Sequence, residues 1–426
     1  MVIGVIDDGL QGTHPDLAPN YAAALSWDFR DGDGDPTPAD TEPHGTAVGG
    51  VAAGTQDNAN GGSGVAPSAR LAGLRLPRAE STDSQEASAL AHRLDDIHVV
   101  AGRLGPADDG KAISPLGSQA KAALQNAAQN GRSGKGRVFV WPSGDGAQLG
   151  DDCNYNEYAN SRFTIAAGAV TDAGHVADYS EPCAALVVVA PSSGGSRGLM
   201  TTDLQGSPGY ATGDYTDTFG GTGGASAIVA GVAALMLERN AALTWRDVQG
   251  ILRETSVRLD PADADWTAGL FPHHHRFGFG LLDAHAAVSR AGSWSLLPPE
   301  TALPAGIRML SLSEGSVYTE HRSTITIASG NPSFTIEHVE VDIYYETFSR
   351  GSLVVTLTSP QGVVSQLMPG RPRDGGNEEP GRIRLGSVRH WGEPAAGVWT
   401  LRVTSGAGIE HHLWQWTLRL FGTSAP

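Results

Sequence analysis

The hydrophobic and polar positions of this chain follow two different patterns. Over roughly the first 290 of its 426 residues, short apolar runs alternate with Ala-rich helical segments. The runs VIGVID, RLAGLRL, RVFVWPSG, FTIAAGAV and ALVVVAP are bounded by Gly, Pro or Asp, which is typical of buried strands. The segments QEASALAHRL, SQAKAALQNAAQ and ASAIVAGVAALMLER indicate helices. This alternation predicts an α/β domain, with a parallel sheet covered by helices on both faces.

The pattern changes after the Pro-rich segment SWSLLPPETALPAG. Beyond it, apolar and polar residues alternate with period two in STITIAS, IEHVEVDIYYE, SLVVTLTSP, WTLRVTS and LWQWTLRLFG. This alternation predicts strands of an antiparallel β-sandwich. We therefore predict a first domain at residues 1–294, a linker at 295–305 and a second domain at 306–426.

The charge balance narrows the possible partners. The chain has 29 Lys and Arg against 46 Asp and Glu, a net charge of −17. This excess of acids argues against nucleic acid and favours basic substrates or divalent cations. No run of about 18 apolar residues occurs, so we expect no membrane span. Met1 leads directly into a strand-like run without a signal-peptide pattern, so we expect a fragment or a misassigned start.

A few residues suggest nucleophilic catalysis. Asp7 and Asp8 follow the first buried strand, and His44 begins a helix-like run in EPHGTAVGG. A carboxylate and an imidazole are two members of a catalytic triad, although each alone is more often a cap or a structural residue. Cys153 and Cys183 are either one disulfide of an exported protein or two buried thiols.

The order of these motifs resembles that of the subtilisin-like serine proteases, and more narrowly of the kexin/furin-like proprotein convertases. The motifs DDG, THPDL, PHGT, GPADDGK, VWPSGDG, TTDL, GGTGGASAIVAG, NAALTWRDVQ and FGFGLLDA stand in the order of that family. The C-terminal motifs HVEVDIYYE, TLTSPQG, VRHWGE and GVWTLRV are similar to its P domain. The resemblance implies a subtilisin-like fold followed by a P-domain sandwich. It also implies a secreted or periplasmic, monomeric, Ca²⁺-dependent serine endopeptidase that processes polypeptides after basic residues.

Carried over by this resemblance, Asp7 is the triad acid and His44 the base. The nucleophile position falls on Gly223, which has no hydroxyl, and Ser226 lies about one helical turn further on. We expect the chain as written to hydrolyse peptides poorly or not at all. It is then either a pseudoprotease that binds basic peptides or partners, or a protease in which Ser was changed to Gly.

The resemblance also assigns the surrounding cleft. Asp145 takes the oxyanion position, where the family usually has Asn, so it either repels the oxyanion, donates when protonated, or is a solvated turn residue. Asp8, Asp108 and Glu86 correspond to acids that favour basic side chains. The second pocket acid of the family falls on Asn156, so the basic preference is weakened but not abolished.

Three calcium sites are implied by the same resemblance, because clustered hard oxygens suit Ca²⁺. The candidate ligands are Asp28, Asp33 and Asp35 in the first site, Asp16, Thr55, Asn58, Asn60 and Gly62 in the second, and Asp108, Asp151 and Glu181 in the third. The first loop could equally be a solvated acidic turn, and the second site lacks a ligand that the family takes from an upstream segment. Cys153 and Cys183 align with a family disulfide. The consecutive His273, His274 and His275 are expected to be solvated in a loop rather than to bind metal.

Overall fold

The N-terminal region is built on a parallel sheet. The structure, a computed structural model, describes residues 1–39, 41–78, 81–113, 115–206, 209–310, 320–328, 334–406 and 409–424. Within these ranges, seven parallel strands have the order β2-β3-β1-β4-β5-β6-β7. These strands are β1 (Val2–Asp7), β2 (Trp27–Asp28), β3 (Arg70–Arg75), β4 (Val99–Gly102), β5 (Val138–Pro142), β6 (Thr164–Val170) and β7 (Leu186–Pro191). Their nearly continuous apolar sequences are buried, as expected for a parallel sheet covered by helices.

The helices form two packed groups, one of α1, α4, α6 and α5 and the other of α2 and α3. The six helices that the structure describes are α1 (His44–Ala53), α2 (Asp83–Ala91), α3 (Ser118–Gly134), α4 (Gly221–Arg239), α5 (Trp245–Thr255) and α6 (Ala284–Ala291). A short antiparallel pair, β8 (Leu199–Thr202) and β9 (Tyr215–Phe219), lies between α3 and α4 in the chain. This arrangement confirms the predicted α/β architecture.

The helix α4 is apolar on nearly all sides because it runs through the core. Among the described helices it alone is long and apolar enough to cross a membrane by length and composition, and 78% of its apolar window is buried inside the protein. Burial of this kind is typical of the core helix of a large domain. The site described below is built at the N-terminal end of this helix.

In its described residues, the C-terminal region contains two four-stranded antiparallel sheets, in the orders β10-β17-β12-β15 and β11-β16-β13-β14. The strands are β10 (Thr301–Met309), β11 (Glu320–Ile327), β12 (Phe334–Thr347), β13 (Leu353–Thr358), β14 (Val364–Met368), β15 (Glu378–Ser387), β16 (Gly397–Ser405) and β17 (His411–Ser424). Trp399 of one sheet and Trp416 of the other are both fully buried in one shared core. The antiparallel sandwich is therefore confirmed.

The segment predicted as a linker at 295–305 is partly a strand. The helix α6 ends at Ala291, and β10 begins at Thr301 and pairs with β17. A Pro inside a run argues against a central strand, but β10 is an edge strand with a bulge between Pro304 and Gly306. The exact domain boundaries stay a prediction.

Buried ion pairs join the two regions. Arg246 of α5 donates from two nitrogens to the carboxylate of Glu337, at 2.9 and 2.6 Å. Arg162 donates to both oxygens of Glu300, at 2.6 and 2.7 Å. The contact of Arg246 with Glu337 uses two nitrogens and two oxygens, and it holds a fixed relative orientation because both planar groups must be aligned.

Candidate active site

Asp7 and His44 meet where the parallel sheet ends. Asp7 is the last residue of β1 and His44 is the first residue of α1. The Nδ1 atom of His44 lies 2.7 Å from Oδ2 of Asp7, whose side chain is almost fully buried. Burial raises the pKa of Asp7, but the charge and hydrogen bond of His44, together with Arg103, hold it below its ordinary value. An ionised Asp7 therefore fixes the His44 ring in one orientation.

Gly223 lies on the other side of the His44 ring. It is in the first turn of α4, and a Cβ atom added there would lie 2.8 Å from Nε2 of His44. A side chain at position 223 would therefore contact Nε2 of His44, the ring nitrogen that Asp7 does not bind. Because Cβ atoms essentially never approach as closely as 2.8 Å, any side chain at position 223 requires the His44 ring or the start of α4 to shift.

Ser226 points elsewhere. Its hydroxyl donates a 2.8 Å hydrogen bond to the backbone oxygen of Gly223, and the residue is buried inside the helix. This is an ordinary bond of a helical Ser to the preceding turn. The structure therefore does not bring the Ser226 hydroxyl to His44.

Asp145 lies at the start of the same helix. Its Oδ1 atom accepts 2.8 Å hydrogen bonds from both the backbone N–H and the hydroxyl of Thr222. A negative charge is favourable at a helix N-terminus, because the backbone N–H groups there have no partner within the helix. The carboxylate thus acts as an acceptor in this arrangement.

These residues line a cavity of about 40 Å³. The predicted residues among its walls are His44, Asp108, Asp145, Asn156 and Gly223. Two arginines share the same walls, and the sequence analysis missed both of them. Arg78 donates to Oδ2 of Asp108 at 3.2 Å, and Nη1 of Arg103 lies 3.5 Å from Oδ1 of Asp7. No sequence motif marks either arginine.

The two other predicted acids of the cleft have partners within the protein. The carboxylate of Asp8 accepts from the backbone N–H groups of His44 and Gly45, at 3.1 and 2.7 Å, and so caps α1. Burial and the charge of Asp7 raise the pKa of Asp8 to about 6. Glu86 accepts from the hydroxyl of Tyr158 at 2.6 Å and from Ser81 at 2.7 Å.

The first predicted calcium site is not assembled. Asp28 is buried and accepts from Arg75 at 2.7 Å, while its other oxygen accepts two backbone N–H groups. Asp33 and Asp35 are exposed and accept from backbone groups of their own loop. Across the described part of the chain, no group of three or more His, Cys, Asp or Glu side chains has the arrangement of a metal site.

The second predicted site is partly assembled. The amide of Asn58 donates to Asp16, the backbone N–H of Thr55 donates to the Asp16 carbonyl at 2.9 Å, and the buried Thr55 hydroxyl oxygen has no hydrogen-bond partner. Asn60 and Gly62 are exposed in the same loop. The unpartnered Thr55 oxygen is one donor atom that a cation could use.

The third predicted site brings its three acids close together. Glu181 is buried, and its pKa is raised well above the ordinary value by burial and then by the charges of Asp151 and Asp108. A cation near Glu181 would relieve this repulsion, so the three acids suit a divalent ion in chemistry, although in the described residues they do not have the arrangement of a metal site. Asp151 also accepts a 3.0 Å hydrogen bond from Arg371 of the C-terminal region, so this acid already has a positively charged side chain as a partner.

A disulfide joins Cys153 and Cys183, which confirms the pairing that the resemblance implied.

The expectation of three solvated histidines was wrong for His273 and His274, which are buried. His273 contacts the carbonyl of Leu186 at 2.8 Å, and His274 lies 3.3 Å from Asp263. Partners within the protein thus compensate for the water that these rings lose.

Residues 1–280 match the Subtilase family. The chain belongs to this family. Residues 336–420 match the proprotein convertase P-domain, so this subtilase has a P-domain after its Subtilase region, as the sequence motifs indicated.

Curated relatives align along the whole of this subtilase. It is 35% identical to kexin of Saccharomyces cerevisiae, over 100% of its own length and 52% of the length of kexin. It is 34% identical to furin of Mus musculus, over 100% of its own length and 54% of the length of furin. A dibasic-processing endoprotease of Schizosaccharomyces pombe is 37% identical, with 61% of its length covered. The subtilase spans little more than half the length of these relatives.

A serine protease of Aeromonas sobria shares the fold. Its crystal structure has a TM-score of 0.86 at 22% identity and covers 99% of this subtilase, which in turn covers 88% of that protein. At this identity the likeness concerns the fold alone, including both the parallel sheet and the C-terminal sandwich.

Proposed function

We propose that this subtilase is a Ca²⁺-dependent serine endopeptidase scaffold for processing polypeptides after basic residues, and that it is inactive as written. The observation that carries the proposal is the alignment of Asp7, His44 and Gly223, with the His44 ring between the other two. Basic substrates are supported by the similarity to a dibasic-processing endoprotease and by Asp108, which lines the same cavity as His44.

With Ser at position 223, each side chain would have a defined task. Asp7 would keep the proton on Nδ1 of His44 and stabilise the imidazolium, and Nε2 would take the Ser hydroxyl proton as the hydroxyl attacks a peptide carbonyl. His44 would then return the proton to the leaving amine. Gly223 supplies no hydroxyl, so the chain as written has a base but no nucleophile.

Asp145 would affect a developing oxyanion differently from the Asn side chain that the family usually has at this position. As a carboxylate it accepts from Thr222 and would repel the developing negative charge, whereas a protonated Asp145 would donate to it.

Calcium would be held by Asp108, Asp151 and Glu181, and its contribution would be structural. Asp108 is also a wall of the cavity, so a bound ion would set the position of this acid. A secreted or periplasmic location belongs to the same proposal and is supported by the disulfide, since disulfides persist in oxidising compartments. The predicted monomeric state and the absence of nucleic-acid partners stay predictions.

The decisive experiment compares the chain as written with Gly223→Ser on a fluorogenic peptide that contains Arg. Both proteins are assayed with calcium and with chelator, at pH 5.5 and 7.5. We expect turnover only in the Ser variant, with a difference of up to about 10⁶-fold. Gly223→Ala is the matched control, because it adds the Cβ atom without the hydroxyl. Turnover in the Ala variant or in the chain as written would contradict the nucleophile assignment.

A second candidate function is peptide binding without cleavage. It is favoured by the intact Asp7–His44 pair beside a residue without a side chain. If a folded Ser variant has no activity while the chain as written binds basic peptides, the binding role replaces the enzymatic one.

A further inference from the structure

The acid predicted to hold a basic substrate side chain already binds an arginine of the same chain. Nη1 of Arg78 lies 3.2 Å from Oδ2 of Asp108, and the exposed fractions of these two side chains are 26% and 33%. Both residues line the cavity that also contains His44 and Gly223. The ion pair is therefore part of the cavity wall and accessible to a ligand.

The other acids near this cavity also have partners within the protein. Asp7 contacts His44 and Arg103, and the Asp8 carboxylate caps α1. Asp145 accepts from Thr222, and the position of the second pocket acid is the uncharged Asn156. Asp7 is buried although its partner Arg103 is partly exposed, whereas in the Asp108 pair both the acid and its partner Arg78 are partly exposed.

We propose that Arg78 is a specificity-determining residue that competes with a basic substrate side chain for Asp108. This inference rests on the proposed peptide-binding function of the cleft. An incoming guanidinium or ammonium group reaches Asp108 only after Arg78 has moved away, and it approaches the positive charges of both Arg78 and Arg103. An uncharged side chain of the same shape does not have to break the pair. Arg78 therefore lowers the preference of the cleft for a basic side chain over an uncharged one of equal size.

The test uses two fluorescently labelled peptides that differ at one position, Arg in one and citrulline in the other. Citrulline has nearly the shape of Arg without its charge, so the ratio of the two affinities reports the charge preference alone. Affinities are measured by fluorescence anisotropy on the chain as written, which lacks the nucleophile. We expect Arg78→Ala to raise the preference for the Arg peptide about fivefold and to leave binding of the citrulline peptide within about twofold.

Two further variants isolate the mechanism. Arg70→Ala is the matched control and should leave both affinities unchanged. Arg70 is an exposed arginine at the N-terminal end of β3, whereas Arg78 follows the C-terminal end of this strand. Adding Asp108→Asn to Arg78→Ala should remove the gain for the Arg peptide, since the carboxylate that Arg78 released is then absent. Thermal unfolding of each variant checks that it is folded.

The outcomes separate this inference from the proposed function. If folded Arg78→Ala binds the Arg peptide no better, or gains equally for both peptides, Arg78 does not determine specificity, although the peptide-binding function stands. If neither peptide binds any folded variant, the peptide-binding function fails and the inference fails with it.

Discussion

Arg371 of the C-terminal sandwich contacts Asp151 of the N-terminal domain, with Nη1 3.0 Å from Oδ1. The Arg371 side chain is fully buried, donates to the backbone oxygens of Lys111 and Ala112, and stacks on the ring of Tyr155 at 3.7 Å. The sandwich is thus attached beside the acids of the third candidate calcium site. This contact gives the C-terminal region a direct influence on the cleft.

We predict that Arg371→Ala destabilises the whole protein by about 3–5 kcal/mol, because Asp151 would keep a buried charge after losing its arginine partner, while Asp374 would retain Arg350. Denaturant unfolding measures the change. Arg402→Ala is the control, since Arg402 pairs with Glu320 on the surface, where ion pairs contribute little. Equal effects of the two variants would show that the buried pair does not stabilise the interface.

The disulfide gives a second prediction. It closes a loop with a sequence separation of 30 residues, for which the chain-entropy account gives about 3–4 kcal/mol of stabilisation. The double variant Cys153→Ser, Cys183→Ser should unfold at a lower denaturant concentration than the parent, and reductant should lower the parent to the same value. A parent protein that is insensitive to reductant while unfolded would show that the bond does not form in solution.

The sequence predicted those features that depend on local patterns or on aligned motifs. The longer buried strands are recognisable from apolar runs. The motif order aligns Gly223 with the nucleophile position of the family, and in the structure this residue lies next to His44. The strand β2 has two residues and β4 has four, too few for a pattern to emerge. β10 was assigned in part to a linker, because it contains Pro304.

Contacts between distant side chains could not be predicted in this way. Arg371 and Asp151 are 220 positions apart, and Arg78 and Asp108 are 30 apart. Neither pair follows a helical or strand period, so only the packed fold brings the charges together. The same applies to Arg75, whose bond to Asp28 removes a carboxylate from the first predicted calcium site.

Asp8 should make stability depend on pH. Its pKa is raised from an ordinary value of 3.8 to about 6 by burial and by Asp7. Between these values the unfolded chain has lost the proton that the folded chain retains, so the contribution of Asp8 to stability falls as the pH rises from about 4 to about 6. Asp8→Asn should flatten this part of a profile of unfolding temperature against pH. Asp217→Asn, which changes an exposed acid, should not flatten it. Parallel profiles for Asp8→Asn and the parent would contradict the assignment.

Calcium should stabilise the protein through Glu181. The charges of Asp108, Asp151 and Glu181 repel one another in a buried site, and a bound cation would offset them. At a free calcium concentration 100-fold above the dissociation constant, one site contributes about 2.7 kcal/mol. We expect the unfolding temperature of the parent to rise with calcium relative to chelator. Glu181→Gln should reduce this rise and, in chelator, be more stable than the parent because one buried charge is gone.

The control for this prediction is Asp33→Asn, which changes an exposed acid of the loop where Asp28 is bound by Arg75. It should keep the full calcium effect, because that loop does not assemble a set of ligands. If Asp33→Asn loses the calcium effect and Glu181→Gln retains it, the ion binds in the acidic loop. The cation beside Asp151 would then be Arg371 alone, and the cleft would be held in place by a side chain of the sandwich rather than by a metal.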